Sequence, residues 1–349
     1  MSMQRAILPL SILLIVQIVL ALLLGVRGDP LAGAKVDTPL VQAAAANSAD
    51  DLVIESMAGK SSAAQGAEHD GSPAAAISRI ELAKKGGTWV LPSQFDAPAD
   101  SARVSSLLDR LSSLKRGLPI ATSDAALKRF KLVDSDFERR VELKFSGKTL
   151  DTVYLGDSPG LRKSDARTAS DRAVYAVDLP TYELPTDVAS WLNADVLHDD
   201  VGNLTELDVG SGQSDKVELL KQQGSDKQAS STWTDPALTG DRHVDSTHAE
   251  AFAQQVTQLR VDGVLGTEPK PEWQQDHPAL RLELKDDKSH SVDWLLSKPT
   301  SGDFYVLKSS LHPWYFSVSS SAAKAMIDAS GRDQLIVAAK PQSKGSGKT

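Results

Sequence analysis

The sequence predicts an α+β protein: an N-terminal transmembrane helix followed by two tandem, similar units, each a mostly antiparallel sheet with a packed helix. Three observations carry that reading. One uncharged apolar run near the start is long enough to span a bilayer. Farther on, short segments alternate apolar and polar residues at period two and are joined by polar turns, which is the pattern of strands and hairpins. The same order of segments then occurs a second time. A length of 349 residues fits about two domains.

The run from Ala6 to Val26 holds 21 uncharged residues, rich in Leu, Ile and Val, between Arg5 and Arg27. At about 1.5 Å per residue it matches the roughly 30 Å hydrocarbon core. It is longer than the apolar stretch of a cleaved signal peptide, so residues 1–27 are expected to stay as an anchor. A short leading arm places the N-terminus inside and the bulk of the chain in the periplasm, with the protein in the inner membrane. Residues 28–49, rich in Ala, Pro and Gly, are expected to form a flexible tether. Gly59–Ser72 reads as a disordered loop, and 339–349 as a disordered tail.

The two units are expected over 50–199 and 200–338. Each places a Trp (Trp89, Trp233) before an amphipathic helix, with Val104, Leu108 and Leu111 on one face in the first and Phe252, Val256 and Leu259 in the second. A strand follows in each, Val141-Glu142-Leu143-Lys144 or Leu282-Glu283-Leu284-Lys285. Polar turns at Ser146-Gly147-Lys148 and Asp286-Asp287-Lys288 lead into second strands ending Val153-Tyr154-Leu155 and Trp294-Leu295-Leu296. Third strands are expected at Val174–Val177 and Phe304–Leu307, and closing helices around Asp187–Leu192 and Ser320–Ile327.

Composition narrows the function. A formal charge of −8 opposes binding to a phosphate backbone, so no nucleic-acid partner is expected. With no cysteine there is no disulfide, no thiolate metal site and no Cys nucleophile. Gly156-Asp157-Ser158 with Asp195 and His198 has the outline of a serine esterase. However, Pro159-Gly160 follows the serine and no helix starts there, so turn chemistry explains the motif better. His243 and His248 stand five apart across a helix start, where Asp245 or Ser246 reads as an N-cap rather than as part of a metal site. The pairs Asp199-Asp200 and Asp286-Asp287 read as solvated turns. No P-loop and no dinucleotide fingerprint occur. No catalytic, cofactor or metal residues are therefore assigned, and the protein is expected not to be an enzyme.

One stretch stands out as a possible interaction surface: Trp314, Tyr315 and Phe316, three consecutive aromatics in a chain with only 5% aromatic residues. They would serve protein contacts or the stacking of a glycan or other envelope polymer.

Ile80-Glu81-Leu82, Trp89-Val90-Leu91-Pro92, Val153-Tyr154-Leu155-Gly156-Asp157 and Ala173-Val174-Tyr175-Ala176-Val177 make the chain resemble the bacterial family called domain of unknown function 4340. The likeness covers most of 77–197, and the second unit resembles a divergent copy with Ser297-Lys298-Pro299 in place of the Gly-Asp turn. What the resemblance implies is a membrane-anchored accessory protein, since such proteins are typically encoded with ABC-type permeases and gliding-motility-like exported proteins. It implies no catalytic residues.

Overall fold

The computed structural model describes residues 16–17, 36–57, 77–200, 203–211, 215–222 and 232–338. Apart from residues 16–17, the expected anchor, the Gly59–Ser72 stretch and the 339–349 tail lie outside them. Among the described residues, no helix is long and apolar enough to cross a membrane.

The fold is α+β, with two large antiparallel sheets and few helices. The early elements are α1 (Ala43–Ser48), β1 (Asp51–Met57), β2 (Ile77–Lys85), β3 (Thr88–Leu91), β4 (Ala97–Pro98), α2 (Ser101–Ser113) and α3 (Asp124–Arg129). Next come β5 (Leu132–Val133), β6 (Asp136–Phe137), β7 (Arg139–Phe145), β8 (Lys148–Leu155), β9 (Ser164–Thr168) and β10 (Tyr175–Val177). The later chain forms β11 (Leu204–Ser211), β12 (Asp215–Gln222), β13 (Thr232–Thr234), β14 (Arg242–Val244), α4 (Ser246–Thr257) and β15 (Gly263–Gly266). It ends with β16 (Leu280–Asp286), β17 (Ser291–Ser297), β18 (Phe304–Ser309), β19 (Tyr315–Ser319), α5 (Ser320–Ala329), α6 (Arg332–Leu335) and β20 (Ile336–Ala338).

The first sheet has the order β10-β9-β8-β7-β1-β2-β3-β4, and the second β15-β19-β18-β17-β16-β11-β12-β13. Seven strands thus follow one order in both. In each sheet the long-range pairing, β1 with β7 or β11 with β16, joins two runs of sequential antiparallel strands.

The chain divides into two compact units, Met1–Arg79 with Ser105–Thr186, and Ile80–Val104 with Asp187–Thr349. This differs from contiguous units over 50–199 and 200–338, because Ile80–Val104 is stitched into the second unit's backbone. Asp100 N–H donates to Trp191 O at 2.8 Å, and Asn193 N–H to Pro98 O at 2.9 Å.

Within the first unit, β1 is buried along its length because Leu52, Val53 and Ile54 form a continuous apolar run. Glu55 on β1 is also buried, held by Arg140 of β7. The β7–β8 hairpin turns on Ser146 and Gly147, at φ of 49° and 75°, and the Asp50 carboxylate accepts the Ser146 N–H at 3.0 Å. Leu127, Leu132, Phe137, Tyr154 and Val174 form one core cluster.

Three expectations for this region are corrected. Residues 36–49 are not a free tether: Leu40 and Val41 are buried, Ala43–Ser48 is helical, and Leu40 N–H donates to Leu114 O at 2.7 Å. The third strand is β9, Ser-Asp-Ala-Arg-Thr, and the expected Val174–Val177 segment supplies the fourth instead, as β10 over Tyr175–Val177. Asp187–Leu192, in the second unit, forms no helix. It makes a turn that the Asp187 carboxylate closes on Ser190, and Leu192 then bridges to Ala99.

Within the second unit, α4 buries Ala249, Phe252, Ala253 and Val256 and is capped by Asp245, whose carboxylate accepts the Thr247 and His248 N–H groups. Trp233 of β13 donates its indole N–H to Glu250 of α4 at 2.8 Å, fastening strand to helix.

Candidate functional site

The β18–β19 connection, residues 310–314, carries Trp314 and is built on a buried polar frame. Pro313 has no N–H to give to a ladder, so the hairpin opens into a loop before β19 resumes. At its root Ser309 is fully buried and donates its hydroxyl to Asp200 Oδ2 at 2.7 Å. His312 Nε2 lies 2.5 Å from Asp200 Oδ1. The Asp200 side chain is only 2% exposed, and both its oxygens are used. Lys308 adds two further bonds, from its ammonium to the carbonyls of Ser309 and His312. Burial pulls the Lys308 ammonium below the ordinary lysine range.

The ring of His312 stacks on Trp314 at 5.7 Å and meets Phe316 edge-on at 5.9 Å. Trp314 donates its indole N–H to Phe95 O at 2.9 Å. Phe95 and Asp96 both adopt left-handed backbone, at φ of 56° and 58°. Neither is glycine, and such conformations cost on the order of 1 kcal/mol or more each. The Phe95 turn is fastened by Asp96, whose carboxylate takes the Lys85 ammonium at 2.7 Å. The outcome is a surface on which Phe95 and Leu311 are exposed and Trp314 is partly exposed.

The three aromatics expected to act together are separated by this arrangement. Tyr315 is 8% exposed and packs against Trp273 at 4.8 Å, in a cluster with Val306. Phe316 is fully buried. Only Trp314 reaches the surface, because both faces of β19 are covered where it begins. The residues that sequence reasoning missed are Asp200, Ser309, His312 and Phe95. Asp200 is corrected from a solvated turn residue to the buried centre of the frame.

The Ser309–Asp200–His312 chain holds a loop in place and does not activate the serine. The hydroxyl faces the carboxylate rather than the imidazole, and Ser309 is inaccessible. Ser158 spends its hydroxyl on the carbonyls of Gly160 and Lys163, as turn chemistry requires. Asp195 meets His198 at 3.6 Å and Arg260 at 3.0 Å. His248 lies 3.0 Å from Asp245, the cap of its own helix, while His243 sits exposed on β14.

The chain matches the family model described as domain of unknown function (DUF4340) over residues 89–278, more than half its length, and it belongs to that family. Phe95 and Asp200 fall within the matched span, whereas the 310–314 loop lies beyond it. No curated protein and no solved structure matches the chain.

Proposed function

We propose that the protein is a non-enzymatic, membrane-tethered accessory subunit of an inner-membrane complex of the ABC-type transport or gliding-motility-like class. Ala6–Val26 is the anchor in this reading, and the bulk of the chain lies in the periplasm. The observation that carries it is the surface of Phe95, Leu311 and Trp314, presented by a braced loop and the turn it is bonded to. Exposed aromatics on a rigid support are what a protein partner uses as anchors. The shared strand order supports a second part of the reading, that the two sheets descend from one duplicated unit. The permease-type partner rests on the gene neighbourhood the family resemblance implies.

The test is a mild-detergent pull-down from native membranes with the full-length protein, a chain starting at Asp29, and Trp314→Ala. Capture of the same transport subunits by the first two, with loss in the third, is the expected result. Equal capture by Trp314→Ala would remove this surface from the reading. Capture by the full-length protein alone would move recognition into the anchor. A second reading, a glycan or envelope-polymer binding module, is favoured by the neighbouring exposed ring of Phe95. It predicts a Trp fluorescence change on titration with peptidoglycan fragments, and a flat titration would exclude those fragments as ligand.

A further inference from the structure

The outward-facing side of the second unit's sheet carries a row of carboxylates running across four strands. Cross-strand partners are Glu218 with Asp208, Asp208 with Glu283, and Glu283 with Asp293, on β12, β11, β16 and β17. Like charges placed directly opposite are destabilising, so a row of four calls for compensation. Part of it comes from lysines. Lys216 lies 2.6 Å from Asp208 Oδ2, and Lys285 pairs with Glu206 and, at 3.5 Å, with Glu283. The bond to Asp208 and the surrounding carboxylates hold the Lys216 ammonium above its ordinary range.

The lysines leave one atom unserved. The Asp208 side chain is only 7% exposed, and its Oδ1 meets no hydrogen-bond donor. A buried carboxylate oxygen without a partner is costly, and among native proteins it commonly marks an ion or ordered water. Glu206 and Glu218 flank it, and one carboxylate oxygen from each of the three lies within 4.8 Å of the others.

We propose that Glu206, Asp208 and Glu218 form a site for a hard divalent cation such as calcium. Oxygens are the ligands that hard cations take. Three carboxylate oxygens within 4.8 Å of one another are close enough to share one ion. Lys216, with a side chain 66% exposed, is free to swing outward as the ion takes Asp208 Oδ1. Its ammonium is then a built-in competitor for the ion.

Isothermal titration of the full-length protein with calcium chloride tests this, beside Asp208→Asn and Lys216→Met. The expected dissociation constant is about 10⁻⁴–10⁻³ M, the range of extracellular modules. Lys216→Met should bind about two- to fivefold more tightly, since it removes an exposed competing charge. Asp208→Asn should lose the binding. A purely structural ion-pair network predicts no effect of calcium on any of the three. No calcium heat with either wild type or Lys216→Met would overturn the proposal, whether or not Asp208→Asn folds. Undiminished calcium binding by folded Asp208→Asn would also overturn it.

Discussion

Gly156, the glycine of the Leu-Gly-Asp turn, stands where its chain passes so close to Phe130 that an added Cβ would fall 1.8 Å from the Phe130 carbonyl oxygen. The obstacle is backbone, so it cannot rotate aside, and the Asp157 N–H donates to that same oxygen at 3.2 Å. Gly156→Ala is therefore expected to cost about 3 kcal/mol or more, the upper end for overpacking, as a lower urea midpoint at unchanged slope. Phe316 gives the opposite kind of defect. Fully buried, its replacement by Ala should cost about 3–5 kcal/mol through lost burial and a cavity. Trp314→Ala should cost far less in the same denaturation series, since its ring is only partly covered. At this scale the sequence marked the aromatic cluster but not its division of labour. Period-two reasoning sends neighbouring side chains to opposite faces, and it cannot say that both faces are covered. Asp200 was illegible for another reason. Its partners His312 and Ser309 lie more than a hundred positions away, and an Asp-Asp pair looks like a turn.

At the scale of elements, the hairpins were readable because Val141–Lys144 and Leu282–Lys285 alternate cleanly and a short polar turn joins each to its antiparallel partner. The helix over Ser246–Thr257 was also readable, together with Asp245 as its cap. Strand β9 was not. Its five residues are all buried, yet four are polar. Arg167 lies 4.1 Å above the Tyr154 ring and bonds the carbonyls of Leu132 and Thr168, so a charged residue fills a core position. The Asp245 cap gives a pH prediction. Hydrogen bonds from the His248 side chain and backbone hold the Asp245 carboxyl below the ordinary range. Its folded value is depressed, so the stabilisation is present above the unfolded value of about 3.9 and is lost as pH falls through the lower folded value. Asp245→Ala should cost about 0.5–2 kcal/mol at neutral pH. The gap between variant and wild-type melting temperatures should narrow below about pH 4.

For the whole molecule, what matters is that the second unit is assembled from two stretches of chain. Ile80–Val104 gives it the backbone bonds to Trp191 and Asn193, the stacking of Arg103 over Trp191 at 5.0 Å, and the Phe95 carbonyl that receives Trp314. A fragment of 200–338 is thus expected to unfold without a cooperative transition. Supplying 80–104 and 187–199 with it should restore a sigmoidal melt by circular dichroism. Repetition of residue class along the chain pointed to two antiparallel sheets but could not reveal this arrangement, because contiguity is what a linear pattern assumes.

The same discontinuity sets a timetable during synthesis. Trp89, Val90 and Leu91 leave the ribosome well before the β18–β19 region they share a unit with has been made. At about 5–20 residues per second the wait exceeds roughly ten seconds. Strand β3 itself pairs with β2 and β4, made beside it, so what waits is the Phe95 carbonyl, which has no indole N–H to receive until Trp314 is made. Slow codons after residue 104 would lengthen that interval without touching the pairing of β2, β3 and β4.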